Sequence, residues 1–242
     1  MTTDLPDYTR KIVIEYSGGF IGLEELATRL GFIAPFNLQG NLVLAEDFET
    51  EAVEWDLTIV GGVGVASRSS RRKYSGNWSI KLAIPATADA YATPTRHIHF
   101  PGVVKYGLFG RFCFTNDCQK IWMEALFEEG ATEYKVGLRY DFQNTTLELW
   151  DSTEAYVTFD TDLNLWSDVG CWYPFLLTFD LKEKVFDKLF VGATEYDLSS
   201  YGVANQANVE PVHAELSFGA LTPSDDAFTC YFDDLVLVKN VP

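Results

Sequence analysis

Beyond residue 40 the chain alternates. Apolar and polar side chains exchange every second position through residues 41–48, 78–84, 107–114, 121–128, 133–142, 145–150 and 156–160. The same pattern returns through 175–181, 188–191, 213–219 and 228–238. A period of two sends successive side chains to opposite faces of a strand, and the Gly, Asn, Asp and Pro residues between segments supply turns. About eleven or twelve such strands without helical interruption predict an all-β fold, two antiparallel sheets stacked as a jelly-roll sandwich. The longest stretches lacking the pattern, 50–74 and 85–96, are expected to be loops over the rim.

Residues 1–40 read differently. Residues 11–16 (Lys-Ile-Val-Ile-Glu-Tyr) alternate like a strand, Ser17-Gly18-Gly19 breaks it, and 23–30 carries apolar residues at helical spacing before Gly31 as a C-cap. One strand and one short helix cannot enclose a core, so this arm must dock on the 41–242 sandwich or on a neighbouring copy. The second case would make the protein a homo-oligomer held through residues 1–40.

Composition narrows the partners. Hydrophobic residues are 47% and aromatics 15% of 242 positions, enough for a sizeable core. Eighteen basic against thirty-five acidic residues give a net charge of −17, which disfavours nucleic acid and anionic lipid. No run reaches the roughly 18–20 apolar residues of a membrane span, and Met1-Thr2-Thr3-Asp4 does not open like a signal peptide, so membrane insertion is not expected. Cys113, Cys118, Cys171 and Cys230 include no Cys-x-x-Cys, which argues against structural zinc on thiolates. Cys113 and Cys118 flank Thr115-Asn116-Asp117, read as a hairpin turn, and are either a cross-strand disulfide or free thiols.

Three segments resemble the jelly rolls of carbohydrate-binding modules and their concanavalin-like relatives. They are Leu42-Val43-Leu44-Ala45-Glu46-Asp47-Phe48-Glu49, Tyr74-Ser75-Gly76-Asn77-Trp78-Ser79-Ile80-Lys81-Leu82 and Tyr231-Phe232-Asp233-Asp234-Leu235-Val236-Leu237. The likeness covers 41–240. It implies that the opening and closing strands lie side by side around a structural Ca2+, with Glu46, Asp47, Glu49, Asp233 and Asp234 as its carboxylates. The alternative is that these groups point to solvent, with Lys81 or Arg72 neutralising one of them. More loosely, a short arm ahead of a sandwich is similar to phage and viral structural proteins, which would place the chain in a virion or on a cell surface.

A second constellation comes from alternation on the middle strands. Tyr134, Val136, Leu138, Tyr140 and Phe142 share one face of their strand, leaving Lys135, Gly137, Arg139 and Asp141 on the other. By the same rule Trp122, Glu124, Glu148 and Trp150 leave the core side, and Tyr156 follows. If these strands are neighbours, one sheet face presents Trp122, Trp150 and Tyr156 among Glu124, Arg139, Asp141 and Glu148. Flat rings stack on the apolar faces of sugars while carboxylates and guanidinium bind hydroxyls, so the set suits a glycan. It equally suits a face covered by the arm or a partner chain, and a strand bulge would instead turn both tryptophans into the core.

Catalytic motifs are incomplete. Glu54-Trp55-Asp56 and Glu195-Tyr196-Asp197 each lack the further Glu that a Glu-x-Asp-x-x-Glu glycosidase strand requires. His97 and His99 would lie about 7 Å apart on one side of a strand and chelate a metal only if a third ligand arrived. Arg68, Arg71, Arg72 and Lys73 form the one basic concentration, a solvated loop or a patch for an acidic neighbour. Together these features predict a non-catalytic module that binds a glycan through the aromatic face. A structural protein assembling through the arm, or a glycoside hydrolase or lyase with paired carboxylates, are the alternatives.

Overall fold

A computed structural model of the chain describes residues 40–49, 55–61, 64–87, 89–99, 102–115, 119–166, 171–208, 210–222 and 227–242. The strand and helix expected within 1–39 lie outside these residues, as does Cys118. In chain order come β1 Asn41–Glu46, β2 Asp56–Val60, β3 Val65–Ser69, β4 Ser79–Ile84, β5 Tyr91–Ile98, β6 Lys105–Phe114, β7 Lys120–Glu129 and β8 Thr132–Asp141. There follow β9 Thr146–Trp150, β10 Tyr156–Asp160, β11 Tyr173–Asp180, β12 Val185–Val191, β13 Thr194–Asp197, β14 Ala204–Ala207, β15 His213–Leu221 and β16 Phe228–Lys239.

They form the expected two antiparallel sheets. One runs β13-β12-β11-β6-β16-β4-β3 with β1 also on β16, and the other β10-β9-β8-β7-β15-β5-β2 with β14 also on β8. The alternating segments all became strands, within a few residues of their expected ends. The two expected rim loops did not stay loops, since β2 and β3 lie within 50–74 and β5 begins within 85–96. Short, half-solvated edge strands carry little alternation: β2 and β3 bury almost nothing completely. In β5, Pro94 obscures the signal, and its ladder to β15 is interrupted between Ser217↔Thr95 and Ala220↔Ala92.

The core lies between the sheets. Ile80, Leu82, Tyr106, Leu108, Phe112, Phe232 and Leu237 of the first sheet face Ile121, Met123, Phe127, Val136, Leu138, Leu216 and Phe218 of the second, all buried. A smaller cluster of Phe109, Leu176, Val236 and Val238 sits apart from it. β6 and β7 belong to different sheets. The two therefore do not pair as the hairpin expected at Thr115-Asn116-Asp117 requires, and residues 116–118 lie outside those described. Among the described residues no helix is long and apolar enough to cross a membrane.

β16 organises this arrangement. Along one side it pairs with β6, and on the other it pairs first with β4, through Phe228–Phe232, and then with β1, through Leu235–Lys239. The register slips between Asp233 and Val236, and Asp234 has φ 52°, so a bulge sits where one neighbour hands over to the other. Opposite, Gly110 lets the sheets close. A Cβ there would stand 2.8 Å from Leu235 Cδ2 and Phe175 Cζ, and 2.9 Å from Met123 Cε. Gly110→Ala is expected to cost about 1–3 kcal/mol by overpacking, lowering the thermal midpoint by about 2–4 °C per kcal/mol in a melt followed by circular dichroism.

Candidate functional site

The outer face of the second sheet carries the aromatic set. Register places Trp150 beside Tyr156, Glu148 beside Arg139, and Arg139 beside Trp122 across β10, β9, β8 and β7. Strand alternation does what the sequence implied: Leu147 and Leu149 turn into the core while Trp150 stays half-buried outside, and Trp122 likewise. No bulge redirects either tryptophan inward, so the core reading of the pair is excluded.

The side chains lock one another. Tyr156 donates its hydroxyl to Glu124 Oε1 at 2.5 Å, and Lys135 Nζ lies 3.2 Å from Glu124 Oε2. Arg139 Nε meets Glu148 Oε2 at 2.5 Å and lays its guanidinium over the Tyr156 ring at 3.7 Å. Lys135 sits 4.0 Å over the Trp150 ring, whose edge contact with Tyr156 has centroids 5.2 Å apart. Burial, and then the negative charge of Glu124, push the Tyr156 phenol well above its ordinary value, so near neutrality it acts as a donor. Gly137 is the floor beneath them: a Cβ there would be 3.0 Å from Tyr156 Oη and 3.1 Å from Trp150 Cβ.

Two expected members stand apart. Trp122 lies flat on Gly219, where a Cβ would come 2.3 Å from Cζ2, and meets Tyr91 edge-on with centroids 6.1 Å apart. Asp141 corrects the expectation of a sugar ligand: only 2% exposed, it accepts from the Gln143 and Asn144 amides and from Asn144 Nδ2, with Lys120 at 3.3 Å. Its burial is outweighed by these hydrogen bonds, which hold it below its ordinary value. The tight turn between β8 and β9 consumes its acceptors. In its place the structure adds a small cleft of about 70 Å³ beside Trp150, walled by Lys135, Glu133, Ala204 and Gln206. β14 supplies this wall, and its short, polar sequence does not announce a strand.

The five carboxylates expected around calcium do not act as one set. Glu46 accepts from the Phe48 amide and Trp55 Nε1 and pairs with Arg96 at 2.6 Å. Glu49 takes the Asn77 and Trp78 amides and Asn77 Nδ2, and Asp47 takes the Glu49 amide. Asp233 accepts from the Tyr74, Ser75 and Asp234 amides, while Asp234 accepts from the Ser75 hydroxyl and pairs with Arg111. As arranged, this donor set does not fit a calcium ion, because amide hydrogens occupy the acceptors and a guanidinium holds the cation's place beside Asp234. The neutralising cations are Arg111 and Arg96, not Lys81 or Arg72. Arg68 of the basic run is also structural, donating to the Phe48 and Glu49 carbonyls at 2.9 and 3.0 Å. The paired histidines differ as well: His99 lies on the exposed bend after β5, and the partner of His97 is His213, with ring centroids 5.7 Å apart.

No family model matches the sequence, and no curated protein does. Solved structures do. An endo-β-1,4-glucuronan lyase from the fungus Trichoderma reesei superposes with a TM-score of 0.56 at 12% identity, covering 83% of this chain and 96% of that one. A carbohydrate esterase from the Shiga toxin-encoding bacteriophage phi24B gives 0.53 at 12% identity, covering 84% of this chain and 100% of that one. The chain has the concanavalin-like jelly-roll fold. A carbohydrate-binding-module structure from the β-sandwich superfamily gives a TM-score of 0.45 at 10% identity, over 83% of this chain and 62% of that one. Likeness at this level establishes architecture and leaves the chemistry to the residues.

One test concerns the closing strand. Burial raises the pKa values of both Asp233 and Asp234 above the ordinary carboxylate range; the charge of Asp234 adds to this for Asp233, while Arg111 opposes it for Asp234. The folded state therefore holds protons that the unfolded chain has released, and stability from this pair falls as pH rises above about 4. Arg111→Met is expected to destabilise by about 3–5 kcal/mol at pH 8 and by less at pH 5, read by urea unfolding at the two pH values.

Proposed function

We propose that this chain binds a glycan on the outer face of the β10-β9-β8-β7-β15-β5-β2 sheet, as a recognition module rather than a hydrolase or lyase. The observation that carries the reading is the interlocked cluster of Trp150, Tyr156, Glu124, Lys135, Arg139 and Glu148, bordering a cleft on a half-exposed sheet face. Rings held in place before a ligand arrives lose little entropy on stacking against a sugar, and paired carboxylate and guanidinium groups offer both acceptors and donors to hydroxyls. Small side chains at Ser217 and Thr93 keep the floor beside the cluster low enough for a chain of sugars to lie across the strands.

Charge supports a neutral ligand. Arg139 is matched by Glu148, Lys135 by Glu124 and Lys120 by Asp141, so this half of the face presents no excess of cations to a uronate. The same pairing favours binding over turnover. A general acid needs a carboxyl whose proton is available, and Glu148 is clamped by Arg139 on one oxygen with the Thr146 hydroxyl 3.4 Å from the other.

A glycan array on the full chain, followed by tryptophan fluorescence titration with the neutral oligosaccharide it selects, tests the reading. Trp150→Ala should weaken binding about tenfold or more with an unchanged thermal midpoint. Binding insensitive to Trp150 would move the site elsewhere. Release of reducing ends or unsaturated sugars that Glu148→Gln abolishes would replace the module with an enzyme.

A further inference from the structure

β5 and β15 bring together residues that alternation places on the same outer face, beyond Glu124 and away from the aromatic cluster. Glu215 pairs with His97 across the two strands, and His213, two positions earlier, pairs with Glu128 of β7. His97 Nδ1 and His213 Nε2 each lie 3.3 Å from the same Glu215 Oε1. Ligand atoms from all three residues fall within 4.8 Å of one another, the one such group among the described residues. We propose that His97, His213 and Glu215 form a binding site for a divalent transition ion of the zinc class, with an open coordination position toward solvent.

Three features beyond proximity support this. The first is spacing. Two ligands each about 2.0–2.1 Å from a tetrahedral zinc stand about 3.3 Å apart, which is the separation of each imidazole nitrogen from Glu215 Oε1. The second is orientation. His213 Nδ1 donates to the Pro211 carbonyl at 2.8 Å with Glu128 Oε2 at 3.1 Å, which turns the Nε2 lone pair toward Glu215. On the other ring, His97 presents Nδ1 inward while Nε2 faces Asp56 Oδ2 at 3.7 Å. A carbonyl or carboxylate behind the remote nitrogen of each imidazole is the arrangement that fixes the tautomer of a metal-binding histidine and raises its basicity.

The third is an unexplained charge. The Glu128 side chain is 6% exposed, and among the described residues its Oε2 has no hydrogen-bond partner, only the contact with His213. A buried carboxylate is costly without a compensating charge, and Glu128, Glu215 and Asp56 together surround two imidazoles with negative charge. A dication held by the imidazoles answers all three. Two nitrogens and one carboxylate oxygen select a borderline ion over Ca2+ or Mg2+, which prefer oxygen throughout. The open position faces solvent beside His97, whose side chain is 49% exposed, on the sheet face to which glycan binding is assigned above.

The full chain, stripped with chelator and dialysed, would be titrated by calorimetry with zinc chloride alone, and in parallel with cobalt for its visible absorption. One ion per chain is expected, with a dissociation constant on the order of micromolar or tighter, and excess Ca2+ should not compete. His97→Ala, at an exposed position that leaves the fold intact, should weaken zinc binding at least about tenfold. Glu128→Gln should weaken it by about 10–100-fold through His213, without touching the ion. Absence of saturable zinc binding by the unaltered chain, or binding that survives His97→Ala and His213→Ala together in folded protein, would overturn the proposal. No glycan enters this assay, so its result is separate from the fate of the glycan reading.

Discussion

The ion pair between Arg111 and Asp234, at the bulge of the closing strand, is the interaction on which the first sheet depends. β16 has more length than either β4 or β1 can cover, and the chain solves this by giving each of them half of one edge. At the join, Asp233 is the last residue in register with β6 before the bulge at Asp234; Asp233 caps the 74–75 amides and Asp234 meets Arg111, which reaches across from β6. Both carboxylates are fully buried. Without a cation beside them, the junction would gather negative charge in a medium that screens it poorly. Tyr74 adds its ring 3.9 Å from the Arg111 guanidinium, and Glu49 grips the next turn at Asn77 and Trp78. The loop before β4 and the ends of β1 and β16 are thereby joined through polar contacts.

The second sheet obeys the opposite logic. The inner positions of its central strands β7, β8 and β15 are committed to the core, which leaves their outer positions free of that constraint. That freedom is used at two places on one surface. Near β8 and β9, aromatic rings and matched charges sit over Gly137. Near β5 and β15, two histidines and a carboxylate meet above a buried Glu128. In both places small residues, or a neighbour from a strand distant in sequence, make room for large polar groups. The metal proposal and the glycan proposal thus concern neighbouring patches of one face rather than competing uses of one pocket.

Architecture was largely legible from alternation because burial on one side of a sheet forces it, residue by residue, in Ile121–Met123–Ala125–Phe127 as in Val136–Leu138–Tyr140. That Trp122, Glu124, Arg139, Glu148, Trp150 and Tyr156 would share an outer face followed from the same period. Where burial is slight the signal disappears, which is why β2, β3 and β14 were not evident, and Pro94 hid β5. Asp141 could not be told from its neighbours on the outer face, since a turn that captures a carboxylate is a matter of backbone path rather than of period.

What the sequence alone determined was therefore which side chains point together within a strand, a local consequence of a two-residue repeat. Which strands became neighbours was decided only by tertiary structure, because pairing joins segments far apart in sequence through their shared core. That decision set Arg111 rather than Lys81 against the closing aspartates. It also gave His97 the company of His213 instead of His99, since period two carries no information about what lies across the ladder.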